Sequence, residues 1–198
     1  MPPPDRIELP DVDVTLRRYT GDDLDALHTA IEESRDHLRP FMPWADGTRA
    51  DTSDFLTAAI ESWDAGTEFN YGIFDGGDVL GGCGLHARLG PGALEIGYWL
   101  RADATGRGIV TAAARALTEA AFDIADVDRV EIHCDEANVR SAAVPRRVGY
   151  RLDRIEDDHI SAPGDLGRSM IWVKRRSSSA AAASRLRRSA HDASASTA

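Results

Sequence analysis

Residues 97–117 read GYWLRADATGRGIVTAAARAL. Residues suited to a strand, Gly97 to Leu100, lead through a polar segment to Gly106-Arg107-Gly108, and an alanine-rich stretch with helical spacing follows. Strand, glycine turn and helix in that order allow two readings. One is a tight turn, for which glycine supplies the backbone freedom. The other is an anion seat. The first N–H groups of a helix lack partners within it and carry partial positive charge, glycines let a ligand approach the backbone, and Arg107 adds a cation at the same place. A Rossmann dinucleotide site is disfavoured: its Gly-x-Gly-x-x-Gly would need glycine where Thr111 stands, and the strands upstream read as an antiparallel hairpin.

Working outward, ALEIGYWL from Ala93 is a strand, and EFNYGIFDGGDVLGGCGLHARLG before it is a hairpin turning at Gly76-Gly77. Further upstream, VTLRRYT from Val14 alternates as a strand. Asp22-Asp23 open a helix with Leu24, Leu27, Ala30 and Ile31 on one face. RDHLRPFMPWADGT is broken by Pro40 and Pro43 and reads as a loop. A second helix runs from Thr52 through Phe55, Leu56, Ala59, Ile60 and Trp63 to Gly66. Downstream, a long helix covers Ile109 to Ile124, RVEIHC is a strand, a short helix follows Asn138, and YRLDRIED and RSMIWVKR are strands. The order β-α-α-β-β-β-α-β-α-β-β predicts an α+β fold, a mixed sheet covered by about four helices. Residues 1–13 read as an N-terminal extension, 14–174 as one domain, and 175–198 as a disordered Ser/Ala/Arg-rich tail with nothing to build a core face.

Composition narrows the function. The chain has 198 residues, 42% hydrophobic and 28% charged, which is the globular range. Its formal net charge is −10, although the tail is basic, so the domain is more acidic than the whole. That disfavours nucleic-acid binding and suits weak steering of an amine-bearing substrate. No apolar run reaches the roughly 20 residues that span a bilayer, and the N-terminus lacks signal-peptide character. A cytoplasmic protein is expected. Cys83 and Cys134 fall in different strands and are read as buried thiols rather than a disulfide, and no Cys/His cluster has zinc spacing, so no metal is expected.

The segments LEIGYWL, TGRGIVTAA and RVEIHCDEANVRSAAVPRRVGY, in this order and at these spacings, resemble the GCN5-related N-acetyltransferases (the GNAT superfamily), and within it the RimJ/RimL branch. HLRPFMPWA is similar to that branch's loop between the first two helices, and the resemblance runs from about Val14 to Val173. It implies a mostly antiparallel sheet with a V-shaped splay, and acetyl-CoA as co-substrate. The pyrophosphate would lie on Thr105, Gly106, Arg107, Gly108, Ile109, Val110 and Thr111, and the pantetheine arm beside Tyr98, Trp99 and Leu100, with Asn138 nearby. The arm would add like a strand through main-chain hydrogen bonds. Thr105 and Val110 depart from the superfamily's phosphate motif, and Val110 would crowd the phosphate.

Acyl transfer to an amine needs a neutral amine, a stabilised oxyanion and a stabilised leaving thiolate. Many relatives use a tyrosine for the thiolate where this chain has Pro145, and resemblance passes that role to Ser141; ordinary capping of the helix by Asn138 is the competing account. Pro145 also removes the N–H that would bond the Ser141 carbonyl. Glu95 is the candidate base, against a structural carboxylate, and His86 on the adjacent strand is the other candidate. A main-chain N–H near Tyr98 or Trp99 would meet the oxyanion. Arg39, Phe41, Met42 and Trp44 lie on the loop that would cover the acceptor, and His86 is expected beside it. An α-amine, with pKa about 7.7–8.0 against about 10.4 for lysine, is more readily neutral at pH 7. The resemblance points the same way, to a protein or peptide N-terminus. A small-molecule amine or antibiotic, a non-catalytic acyl-CoA sensor, and a homodimer stay open as alternatives.

Overall fold

The computed structural model describes residues 2–177. Its eight strands are β1 (Arg6–Leu9), β2 (Val14–Arg18), β3 (Glu68–Asp75), β4 (Asp78–His86), β5 (Ala93–Leu100), β6 (Arg129–Asp135), β7 (Arg151–Asp157) and β8 (Arg168–Arg175). They form one sheet in the order β1-β2-β3-β4-β5-β6-β8-β7, antiparallel everywhere except between β5 and β6. That parallel contact covers only Ala93, Leu94 and Glu95 against Arg129, Val130 and Glu131. From Ile96 to Leu100 the β6-facing edge of β5 has no strand partner among the described residues, which is the expected splay.

Five helices accompany the sheet: α1 (Leu24–Glu33), α2 (Arg35–Leu38), α3 (Arg49–Asp64), α4 (Ile109–Asp123) and α5 (Val139–Val148). α4 lays Ile109, Ala113, Ala114, Leu117 and Ala121 on the sheet residues Leu85, Ile96, Val130 and Ile132. Alanines at the contact let the helix sit close, and every one of these side chains is essentially excluded from water. α1 buries Leu27, Ala30 and Ile31 with Tyr19, Leu56, Phe74 and Val79 in a second, smaller cluster. The β3–β4 hairpin turns through Gly76 and Gly77, with Gly76 at φ +57° as a two-residue hairpin turn requires.

Four boundaries differ from the sequence reading. Arg6–Leu9 is a strand paired with β2, so much of the expected N-terminal extension belongs to the sheet. The proline-rich loop holds a one-turn helix, α2, and a 3-10 turn at Pro43–Asp46, because each proline only ends a turn that precedes or starts one that follows. α3 starts at Arg49 rather than Thr52: Thr48 and Asp51 form a reciprocal capping box. At the other end Arg175 is in β8, and the Arg176 guanidinium donates to the carbonyls of Ile124 and Val127. Residues 178–198 of the expected tail lie outside the described residues. Cys83 and Cys134 are free thiols. No helix among the described residues is long and apolar enough to cross a membrane.

Candidate active site

A cavity of about 490 Å³ is lined by residues from both sides of the β5/β6 splay. Tyr98 of β5, Cys134 of β6, and Asn138 and Ser141 at the start of α5 bound one part. Phe41, Met42, Trp44, Phe55 and Trp99 bound another. His86 and Glu95 on the strands between them, and Arg88 on the loop that joins those strands, complete the wall.

The register explains what reaches the cavity. Gly82 is opposite Trp99, Gly84 opposite Gly97, and His86 opposite Glu95. Alternation puts these six residues on one face of the sheet. His86 Nε2 lies 3.1 Å from where a Cβ on Gly84 would stand and 3.3 Å from the corresponding point on Gly97. The two glycines therefore make room for the imidazole over β5. Its Nδ1 is 3.2 Å from Glu68 Oε2, which leaves Nε2 facing the cavity as the acceptor nitrogen when Nδ1 carries the proton.

Glu95 is buried and its two carboxylate oxygens accept from one guanidinium, that of Arg88, at 2.7 and 2.5 Å. The same carboxylate holds Arg88 above the ordinary arginine range. His133 joins from β6, with Nε2 2.7 Å from Glu131 and Nδ1 3.9 Å from Glu95.

At the splay, the Tyr98 hydroxyl is 3.0 Å from Ser141 Oγ and donates to the Ser141 carbonyl at 3.1 Å. That carbonyl is the one Pro145 leaves without an N–H, so the tyrosine replaces the missing helix bond. Burial pushes the Tyr98 hydroxyl above its ordinary range, which keeps it protonated. Asn138 caps α5, its Oδ1 accepting from the Ser141 N–H at 3.1 Å. Capping accounts for the Asn138 side chain; the Ser141 hydroxyl is left for Tyr98 and the cavity. Burial raises Cys134, against hydrogen bonding from Ser141.

Past β5, the chain reaches Gly106 and Gly108, both left-handed at φ +80° and +81°. α4 then starts with no side-chain cap and no acidic residue in its first turn. The N–H groups of that turn are those an α-helix cannot satisfy internally. Residues 105–108 are exposed, and Arg107 is loosely paired with Asp75 at 3.9 Å. Thr105 Oγ1 is spent on the Ala102 carbonyl. Val110 packs toward the core, so its side chain does not stand over the turn. Leu100 is buried at the open end of β5. The cradle is a bare helix N-terminus with a cation beside it, which fits a diphosphate.

Of the expected acceptor residues, Phe41, Trp44 and His86 reach the cavity wall. Arg39 does not: its guanidinium grips Asp46 at 2.8–3.1 Å and stands 3.4 Å from Asp36, pinning the loop from outside. Tyr19, Arg88, His133 and Asp165 line the cavity without having been singled out in the sequence. Asp165 arrives on the β7–β8 loop, which Gly164 N–H ties to the Pro40 carbonyl at 2.7 Å. No local motif marks these residues, because separate elements bring them together.

An acetyltransferase (GNAT) domain model matches residues 13–151. YdaF of Bacillus subtilis (strain 168), assigned as a ribosomal N-acetyltransferase, is 31% identical over 144 residues, covering 69% of this chain and 77% of its own. Among solved structures, RimL, a ribosomal L7/L12 α-N-protein acetyltransferase in complex with coenzyme A, superposes with a TM-score of 0.76 at 24% identity, covering 82% of this chain and 94% of its own. The microcin C7 self-immunity acetyltransferase MccE, in complex with acetyl-CoA and AMP, reaches 0.77 at 22% identity, covering 83% and 93%. These structural likenesses concern the fold.

Proposed function

Because the chain belongs to the GNAT acetyltransferase family, we propose that it transfers an acetyl group from acetyl-CoA to the α-amine of a protein or peptide N-terminus, in the cytoplasm. The observation that carries the donor half is the uncapped start of α4 behind Gly106 and Gly108, beyond an unpaired strand edge. The N–H groups of Ile109, Val110 and Thr111, with Arg107, would hold the diphosphate. The open edge of β5 would bind the amides of the pantetheine arm as a neighbouring strand does.

Attack by the amine lone pair on the thioester carbon forms the C–N bond, and the C–S bond breaks. With the Tyr98 proton given to the Ser141 carbonyl, Ser141 O–H rests on Tyr98 Oη and would rotate from it to the departing sulfur. A charge-assisted hydrogen bond of this kind contributes about 1.5–3 kcal/mol. The amine's proton must leave. Glu95 has both oxygens on Arg88, whereas His86 has a carboxylate behind it and Nε2 toward the cavity. We therefore assign proton removal to His86, with Glu68 orienting the ring, and give Glu95 the positioning of Arg88. An acidic domain and the lower pKa of α-amines favour a protein N-terminus. A second reading, a small amine carrying a planar group, is favoured by the exposed aromatics Trp44 and Phe55 at the cavity.

The test is acetyl-CoA turnover against peptides and small amines with product masses. Peptide products acetylated at the α-amine are expected, and products confined to small amines would shift the reading to the second. Coenzyme A should protect the protein against heat, and Gly108→Trp should abolish that protection; equal protection in the variant would remove the donor site from α4.

A further inference from the structure

We propose that Tyr19 and Trp99 form a subsite for a neutral, hydrogen-bond-accepting oxygen of the acceptor, a carbonyl or a hydroxyl lying beyond the reacting amine. The inference rests on reading the cavity as an acceptor site.

Tyr19 follows β2 and is only 3% exposed. Its hydroxyl has no hydrogen-bond partner among the described residues, although it belongs to a cavity-lining residue. Buried hydroxyls without partners are uncommon and costly. The ring cannot swing away easily, since the edges of Phe55 and Phe74 hold it at centroid distances of 5.9 and 6.3 Å. Gly82 brings a second donor to the same spot. The point where its Cβ would stand is 2.8 Å from Tyr19 Oη and 2.6 Å from Trp99 Nε1. Only a residue without a side chain lets both groups lie on the sheet there. Trp99 is in turn braced by Trp44 at 5.6 Å.

The chemistry of the two groups selects the ligand atom. An indole N–H only donates. Burial pushes the Tyr19 hydroxyl far up, so it remains O–H at any working pH. The bound atom must therefore accept. A carboxylate is disfavoured, because the nearby cation Arg17 is committed to Asp23 at 2.6 and 2.8 Å and an anion here would be desolvated without a counter-ion. Geometry sets the reach. Gly82 lies two residues from Gly84, over which His86 is placed, so the subsite is about 7 Å along the strand from the proton acceptor. In an extended peptide that is the region of the second residue's carbonyl; in a small amine it is a hydroxyl or carbonyl at the far end.

Two matched pairs separate these sources: a short peptide amide against its analogue with the second carbonyl reduced to methylene, and an amino alcohol against the alkylamine of equal length. Wild type should prefer the oxygen-bearing member of one pair by roughly tenfold in kcat/KM. Tyr19→Phe should reduce that preference to near unity through the acceptor KM, leave the acetyl-CoA KM unchanged, and melt no lower than wild type, since its hydroxyl has no bond to lose. Should Tyr19→Phe fold poorly, Trp99→Phe reads the same preference. A wild type without preference, or one kept in both variants, overturns the subsite. If no amine is acetylated, the functional reading fails separately, and thermal protection by the same pairs still decides the subsite.

Discussion

Glu95 and His86 stand opposite each other on β5 and β4 but have different neighbours. Gln at position 95 keeps the shape and loses the charge that holds Arg88; Gln at position 86 loses the basic nitrogen. At saturating acetyl-CoA, His86→Gln should lower the transfer rate by about 10²–10⁴-fold, the usual scale of general-base catalysis, and its rate should climb with pH as the acceptor deprotonates unaided. Rescue should come at lower pH for an α-amine than for a lysine-like amine, whose pKa is roughly two units or more higher. Glu95→Gln should lose less and keep the wild-type pH profile. Rates across the neutral and alkaline range check this, and the reverse ranking would return the base to Glu95. Both candidates were legible because they sit on one recognisable strand pair; their partners, Arg88 and Glu68, carry no signal of their own. The same holds for Pro145. Its missing N–H was readable, while the donor that replaces it, Tyr98, is 43 positions from Ser141 in sequence.

Elements were legible where their signals are local. β5 and α4 have the bounds expected to within a residue, because a β-rich run and an alanine-rich 3.6-residue pattern each declare themselves. β1 was missed because its pattern is short and half exposed, and only pairing with β2 makes it a strand. The start of α3 was misplaced by three residues because Thr52-Ser53-Asp54 imitates a cap, while the true one is Thr48. There Asp51 Oδ2 accepts from the Thr48 N–H and hydroxyl, each at 2.7 Å, and the Asp51 N–H donates to Thr48 Oγ1 at 3.3 Å. Thr48→Ala should cost about 1 kcal/mol, or about 2–4 °C in Tm for a domain of this size. Calorimetry measures it, and an unchanged Tm would mean that packing of α3 against β3 alone sets its start.

At the scale of the molecule, acid should be the weak direction. Hydrogen bonds to Arg39, Thr48 and Arg101 hold Asp46, Asp51 and Asp103 below the ordinary carboxylate range. Burial opposes the shift at Asp23 and Asp135, but Arg17 prevails at the first and four backbone N–H groups at the second. A carboxylate depressed in the folded state stabilises it fully above the unfolded value near 3.9, and the benefit is lost as pH falls through the folded value. Urea midpoints should therefore be level from neutrality to about pH 5 and fall below about pH 4; a rise on acidification would contradict the pairing described.

The splay has a further cost, in self-association. A bare strand edge is a template for other chains, and proteins usually blunt it. The outer edges of this sheet are blunted: β7 carries Arg151, Asp153, Arg154, Glu156 and Asp157, and prolines at positions 2–4 precede β1. The inner edge at Ile96–Leu100 carries no such guard; in the binding mode proposed above, a charge or proline there would also turn away the pantetheine arm. Coenzyme A would then be a plug as well as a substrate, and concentrated protein would aggregate soonest when freed of it.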